Sequence, residues 1–541
     1  VSTMSPDKPV TAPTQRTPQR VELEEPQVSP RMTASTSTLV NRLWSYCELL
    51  RHSGVSTLDY VEQLTYLLFL KMADERSNRP AKFRRKNEDE APLVPPGRDW
   101  ASLTTRSGDD LLSHYEFILK DLGSRGGTML GEVFAKSSNK IHEPAVLERL
   151  IMDLINPHRW TTEEQDLKGD AYEGLLQRGA EDRKTGAGQY FTPRPVIDAM
   201  VDCVRPQVGE TITDPACGTG GFLIAAHAHL VNHYEKQLYG DEGRKLQTGA
   251  ITGYELVRET ARLALMNMLL HNIGTSGAKP LITVQDSLAK APTRFYDIVF
   301  ANPPFGVGSV TGEAYTARTD FWTQTTNKQL NFVQHIYNLL KTNGRAAVVL
   351  PDNVLFEGGA GETIRRNLLN LCDMHTLLRL PTGIFYANGV KANVLFFDKT
   401  GQRSGGRPGT KQLWVYDFRT DQRFTLKQRQ LRREHLDDFV AAFHSGGTDF
   451  SARKPNDRFR AYDYEELIDR DKVNLDLTAF TSEASSAQTA LASPDVIAQE
   501  IVDELEAALA EFTTVARALK NTGTTRTTDD GTDEAGENRA E

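Results

Sequence analysis

Glu210-Thr211-Ile212-Thr213-Asp214-Pro215-Ala216-Cys217-Gly218-Thr219-Gly220-Gly221-Phe222 reads as a short strand, a glycine turn and the start of a helix that runs on through Leu223-Ile224-Ala225-Ala226. Strand, glycine turn and helix form a nucleotide-type cradle in an α/β sheet, where a helix N-terminus and its free amides lie beside the ligand. Gly218, Gly220 and Gly221 carry no Cβ, so the backbone on either side of Thr219 can approach a ligand closely. The turn is not the G-x-G-x-x-G of dinucleotide folds, and it lacks the Gly-Lys-Ser/Thr of a phosphate-binding P-loop.

Three later strands repeat the pattern of an apolar run closed by a polar residue. Ala250-Ile251-Thr252-Gly253-Tyr254-Glu255 ends in a carboxylate, Leu281-Ile282-Thr283-Val284-Gln285 leads into Asp286, and Tyr296-Asp297-Ile298-Val299-Phe300-Ala301 leads into Asn302. Polar residues at the carboxyl ends of successive strands mark one crevice at the edge of an open sheet. Asp214 before the turn and Glu255 on the next strand fit S-adenosylmethionine, with Glu255 taking the ribose hydroxyls and Asp286 accepting from the adenine amine. The fourth strand ends in Asn302-Pro303-Pro304-Phe305. An exocyclic amine such as N6 of adenine is a poor nucleophile, because its lone pair is delocalised into the ring. The Asn302 side-chain oxygen and the Pro303 carbonyl can each accept one of its N–H groups, while Phe305 offers a face for stacking. Two prolines stiffen the loop, so these groups are already placed.

Ahead of the cradle lies Gly186-Ala187-Gly188-Gln189-Tyr190-Phe191-Thr192-Pro193-Arg194-Pro195, followed by the amphipathic run Val196 to Val201. Thr192-Pro193 is a helix start. Gln189, Tyr190 and Phe191 would lie at the methionine end of the cofactor, the aromatic rings against its sulfonium, while Thr192 and the backbone around Pro193 and Arg194 would hold its carboxylate.

In order and content, these segments resemble the gamma class of amino-methyltransferases, and specifically the modification subunit of type I restriction-modification systems. Further stretches agree: Leu43-Trp44, Phe69-Leu70-Lys71-Met72, Gly169-Asp170-Ala171-Tyr172-Glu173, and Leu380-Pro381-Thr382-Gly383-Ile384-Phe385 leading into Gly389 to Phe397. The resemblance covers residues 38 to 520. It implies a Rossmann-like class I methyltransferase sheet and transfer of a methyl group from S-adenosylmethionine to a flipped adenine in double-stranded DNA. It also implies a specificity subunit as partner, a second copy of this chain in the complex, and a place for a restriction subunit. Related Asn-Pro-Pro-aromatic enzymes act on protein glutamine or RNA base amines, and a scaffold that grips DNA without turnover is a further alternative.

Composition sets the remaining bounds. A chain of 541 residues can bury more than one core. No stretch approaches a membrane span, and the Ser/Thr/Pro-rich beginning lacks the apolar core of a signal peptide, so a cytoplasmic protein is expected. Cys47, Cys203, Cys217 and Cys372 are scattered without metal-ligand spacing, and no metal is expected. No Pro-Cys dipeptide occurs, which removes the nucleophile of cytosine-C5 methyltransferases. His229 and His233 stand four apart without the Glu of His-Glu-x-x-His, and read as packing or surface residues. The net charge of −9 does not itself point to nucleic acid. Between Gly401 and Arg433, however, nine basic residues oppose only Asp417 and Asp421. Lys427, Arg429, Arg432 and Arg433 are candidate phosphate contacts, as are Lys82, Arg84, Arg85 and Lys86.

The expected organisation is a disordered tail over 1–37, a helical N-terminal domain over 38–160, the catalytic domain over 161–400, a basic linker and small extension over 401–480, a helix over 494–520 and an acidic tail over 521–541. The 494–520 helix carries Ile497, Ile501, Leu505, Ala508, Phe512, Val515 and Leu519 at heptad-like steps, and the resemblance makes it the partner-binding helix. Replacing Leu505 and Phe512 together with Asp is expected to place two charges in that seam and dissociate the specificity subunit, with cofactor binding retained. Stoichiometric co-purification of the doubly substituted chain would show that the partner docks elsewhere.

Overall fold

A computed structural model of the chain describes residues 57–78, 92–158, 160, 192–238, 240–305, 318–385, 391–419, 424, 429–447 and 449–478. Gln189, Tyr190 and Phe191, the Lys82–Lys86 cluster, Lys427, both tails and the 494–520 helix lie outside the described residues.

The frame is a nine-stranded sheet. Its strands are β1 (Ile212–Asp214), β2 (Ile251–Glu255), β3 (Ile282–Val284), β4 (Tyr296–Ala301), β5 (Leu340–Pro351), β6 (Asp373–Arg379), β7 (Ala392–Asp398), β8 (Gln412–Asp417) and β9 (Phe459–Asp463), in the order β3-β2-β1-β4-β5-β7-β6-β8-β9. From β3 to β5 every pairing is parallel, and β7 then enters antiparallel to both β5 and β6. This is the mixed α/β sheet expected from the sequence. Parallel strands need crossovers, and helices supply them on both faces. One face carries α3 (Arg194–Val204), α4 (Gly221–Tyr234) and α5 (Arg258–Leu270), and the other carries α6 (Lys328–Leu339) and α7 (Ala360–Leu371). The strands alternate accordingly: Ile298 and Phe300 pack with the first layer, Val299 and Ala301 with the second.

The N-terminal helices join the first of these cores. Helix α1 (Thr57–Ser77) and α2 (Gly108–Gly123) bury Leu64, Leu68, Met72, Leu111, Tyr115 and Ile118 in the same apolar cluster as α4 and α5. Tyr66, Leu67, Phe69 and Leu70 are buried as well, so the helix is enclosed nearly all round, between α5 on one side and the other N-terminal helices. A charged tie crosses the junction. The buried Arg262 of α5 bonds Glu62 and Tyr66 of α1 and donates to the Ala135 carbonyl at 2.6 Å. Backbone bonds reinforce it, from Met129 N to Ala278 O at 2.8 Å and from Leu130 N to Ser276 O at 3.1 Å.

Residues 401–480 correct the expected linker. β8 and β9 extend the same sheet, Trp414 pairing with Thr376 and with Ala461, and α8 (Asp437–His444) buries Phe439 and Phe443 against Phe396 of β7. Several cations of this segment are paired within the fold: Arg419 with Asp417, and Arg433 with Asp202 of α3 and Asp437. Among the described residues, no helix is long and apolar enough to cross a membrane.

The Arg262 tie yields a stability test. Arg262→Met keeps the packed stem but strands the Glu62 carboxylate in a partly buried position, at a cost of about 3 kcal/mol. Chemical denaturation of the full chain should show the loss as a lower midpoint, and an unchanged midpoint would mean that apolar contacts alone hold the helices on.

Candidate active site

Parallel register brings the strand ends together. Asp214 lies opposite Gly253 on β2, and Ile212 opposite Ile298 on β4, so Asp214, Glu255, the Asp286 turn and Asn302 all emerge on one edge. Gly253 is required by this docking, because a Cβ there would meet Cys217 and Leu223 at about 3 Å, the atoms of the cradle itself. Cys217 N then donates to the Tyr254 carbonyl at 3.0 Å, seating the turn on the neighbouring strand.

Within the turn, Gly218 and Gly220 have φ of +55° and +86°, a left-handed backbone that other residues adopt at a cost. Among the described residues, a Cβ at Gly218 would meet nothing within 4 Å. The Thr219 carbonyl accepts from Asn267 Nδ2 on α5 at 3.1 Å, and Gly221 begins α4. Glu255 accepts from Gly218 N at 3.0 Å and from Val257 N at 2.9 Å. Asp286 accepts from Leu288 N at 2.9 Å, capping its own turn, while the buried Ser287 hydroxyl donates to the Pro215 carbonyl at 2.6 Å. The third strand is thus fastened to the cradle.

The carboxyls here are set by burial. Asp214 is 1 % exposed, and its carboxyl is pushed up to about 8 by burial and the nearby Glu255, against the hydrogen bond from Ala216 N at 2.9 Å. Burial also raises Glu255, opposed by the amides of Val257 and Gly218. Beside these acceptors, Leu256 and Val257 are 64 % and 48 % exposed, large apolar chains left uncovered at the mouth of the cradle. A ligand with hydroxyls, a cationic amine and a flat ring matches these acceptors and the apolar surface beside them. S-adenosylmethionine fits them.

Asn302 and Pro303 are buried at the end of β4, and Phe305 is half-buried against the α3–α5 core. Thr192 Oγ1 accepts from Asn302 Nδ2 at 2.8 Å. The Thr192 hydroxyl thus contacts the Asn302 loop, a partner that the sequence reading did not name when it assigned this residue to the cofactor carboxylate. Pro193 directly precedes α3, as expected of a helix start, and Arg194 turns along the helix to pair with Asp198 at 2.9 Å.

Other supporting residues were not singled out from sequence. Asn331 and Gln334 of α6 are buried and hold the segment after the loop, donating to the carbonyls of Thr325 at 2.8 Å and Thr323 at 3.0 Å. Arg318, 4 % exposed, donates to the Leu288 carbonyl at 3.0 Å, joining that segment to the Asp286 turn. The signal was present: Asn331, Gln334 and His335 put three polar side chains on the inner face of an amphipathic helix. His229 is a packing residue, its ring 4.2 Å from that of His233 and its pKa lowered to about 3 by burial. Among the described residues, no group of three His, Cys, Asp or Glu side chains could hold a metal.

Residues 163–487 match the N-6 DNA methylase family, and residues 39–154 match the HsdM N-terminal domain. The chain is 38 % identical over 526 residues to the type I restriction enzyme StySJI methylase subunit of Salmonella typhimurium, covering 90 % of this chain and 96 % of that one. It is equally similar, at 38 % over 526 residues and the same coverage, to the EcoKI methylase subunit of Escherichia coli K12. Among solved structures, a chain from a study of complex assembly and conformational transition in the type I R-M system superposes with a TM-score of 0.64 at 26 % identity, covering 90 % of this chain and 99 % of that one.

The raised Asp214 carboxyl gives a pH signature. In the unfolded chain an aspartate ionises near 3.8, so between that pH and about 8 the cofactor-free native state holds a proton that the unfolded state has lost. Stability contributed by protonated Asp214 is then full below the lower value and declines as pH rises through the window. Asp214→Asn should therefore melt higher than the parent by a margin that widens from about pH 5 to about pH 8. A margin independent of pH would mean that Asp214 is ionised throughout.

Proposed function

Because the chain belongs to the N-6 DNA methylases, within them to the methylase subunits of type I restriction enzymes, we propose that the crevice at the ends of β1 to β4 transfers a methyl group from S-adenosylmethionine to N6 of an adenine in double-stranded DNA. The observation that carries this reading is the buried Asn302 amide at the end of β4, held from the segment that leads into the cradle. When bound, S-adenosylmethionine supplies an electrophilic methyl group on a sulfonium sulfur.

The chain's own residues do the rest by placement. Glu255 takes the ribose hydroxyls, the Asp214 carboxyl and the Gly218–Gly221 turn hold the methionine portion and the backbone approach, and Asp286 with Leu256 borders the adenine. The target base lies inside a duplex and has to be flipped out to reach the crevice. The Asn302 oxygen and the Pro303 carbonyl accept the two N–H groups of its amine, which localises the lone pair. Phe305 stacks on the ring, and Pro303 and Pro304 keep these groups fixed so that little reorganisation accompanies the reaction. No strong base is needed before transfer, since the amine protons become acidic only as the nitrogen gains positive charge. Positioning therefore supplies most of the rate.

Sequence recognition belongs in this reading to a specificity subunit that binds two copies of this chain, with a restriction subunit able to join, and the complex works in the cytoplasm. Asn302→Ala should lower methyl transfer to unmethylated duplex DNA by about a hundredfold or more while leaving S-adenosylmethionine affinity near that of the parent. Radiolabel transfer and calorimetry on the purified complex measure the two quantities. Retained transfer would remove Asn302 from the chemistry, and transfer to RNA or to a glutamine-bearing protein in preference to DNA would replace the substrate.

A further inference from the structure

We propose that Thr192 is a positioning residue for methyl transfer: its hydroxyl accepts from the Asn302 amide nitrogen and so holds that amide with its carbonyl oxygen offered to the target amine. The inference rests on the reading of Asn302 given above and goes beyond it. Thr192 Oγ1 and Asn302 Nδ2 are 2.8 Å apart, their residues 7 % and 8 % exposed and separated by 110 positions in sequence. A primary amide has two ends of nearly equal size and opposite character. With Nδ2 donating to Thr192, the carbonyl oxygen is the end directed away from the threonine, and only that end can accept an N–H. The reverse arrangement, in which the hydroxyl donates to the amide oxygen, would present an NH2 group to the substrate amine, donor against donor.

Both partners are held by stiff backbone. Thr192 is β-branched and precedes a proline, which restricts its side chain and keeps its backbone extended. Asn302 is followed by two prolines. Pro193 leads directly into α3, whose Val196 and Ile197 amides bond back to the Pro193 carbonyl at 2.9 and 3.2 Å. The hydroxyl thus acts on the base-side loop, although the sequence around it suggested a cofactor contact.

Thr192→Val and Thr192→Ser separate these roles in the full chain, purified with its native partners and assayed on genomic DNA from a host lacking this gene. The valine variant keeps the shape and loses the hydroxyl, and its single-turnover transfer rate should fall about tenfold to a hundredfold. S-adenosylmethionine affinity by calorimetry should stay within about twofold of the parent, as should the affinity for DNA. Serine restores the acceptor and should keep the rate within about threefold. In the Asn302→Ala background, adding Thr192→Val should slow the reaction no further, because the two residues act as one unit. Parent-like transfer by the valine variant, with Asn302→Ala still inactive, overturns this inference alone. A loss of cofactor affinity that tracks the loss of rate overturns it too and returns Thr192 to the cofactor. A serine variant as slow as valine would leave only the threonine methyl, a packing role. Full activity of Asn302→Ala would overturn the inference together with the reading beneath it.

Discussion

The parallel pairing of β2, β1 and β4 is the constraint on which the rest of this structure depends. Parallel strands share one chain direction, so whatever follows each strand emerges at the same edge of the sheet. Asp214, the turn after Glu255, and Asn302 are brought together by that geometry even though they lie up to 88 positions apart. A one-residue slip in any of these pairings would turn the polar end of a strand to the opposite face. The apolar alternation of Ile298 and Phe300 against Val299 and Ala301, buried on both sides, resists such a slip.

The edge is polar at a real energetic cost, and hydrogen bonds from backbone amides limit it. Asp214 accepts from Ala216, Glu255 from Gly218 and Val257, and Asp286 from Leu288. Each acid therefore stabilises the turn that follows its strand, besides facing the crevice. Burial leaves Asp214 and Glu255 with raised pKa values, opposed by the backbone amides that they accept from. At the end of β4, two prolines follow Asn302 and the Thr192 hydroxyl accepts from its amide nitrogen, so the chain's own residues restrain this loop.

The N-terminal helices belong to the same mechanical unit. Arg262 sits on α5, the helix that starts three residues after Glu255, and reaches across to Glu62, Tyr66 and the Ala135 carbonyl. Leaving the helices off would uncover the α5 face of the main core and a guanidinium that burial keeps out of water. At the far end, β8, β9 and α8 cover the antiparallel half of the sheet, with Arg453 stacked over Phe443 and Phe450 and bonded to Thr376. The crevice thus lies at the carboxyl ends of β3, β2, β1 and β4, in the parallel half of the sheet.

Sequence by itself determined the glycine turn, the polar ends of four strands, the stiff Asn302 loop and the helix that follows Pro193, because each depends on residues a few positions apart: φ above zero needs glycine, a proline sets its own φ and restricts its neighbour, and a buried strand needs an apolar run. Only the tertiary structure decided what partners distant in sequence do. It gave the Thr192 hydroxyl a partner in Asn302, 110 positions away, added β8 and β9 of the basic segment after Gly401 to the sheet, and enclosed α1 on nearly every side. The physical reason is common to all three. A hydroxyl, a guanidinium or an aromatic ring bonds whatever the packed chain brings within about 3–4 Å, and that neighbour is fixed by how the helices and strands close around one another, which no local pattern records.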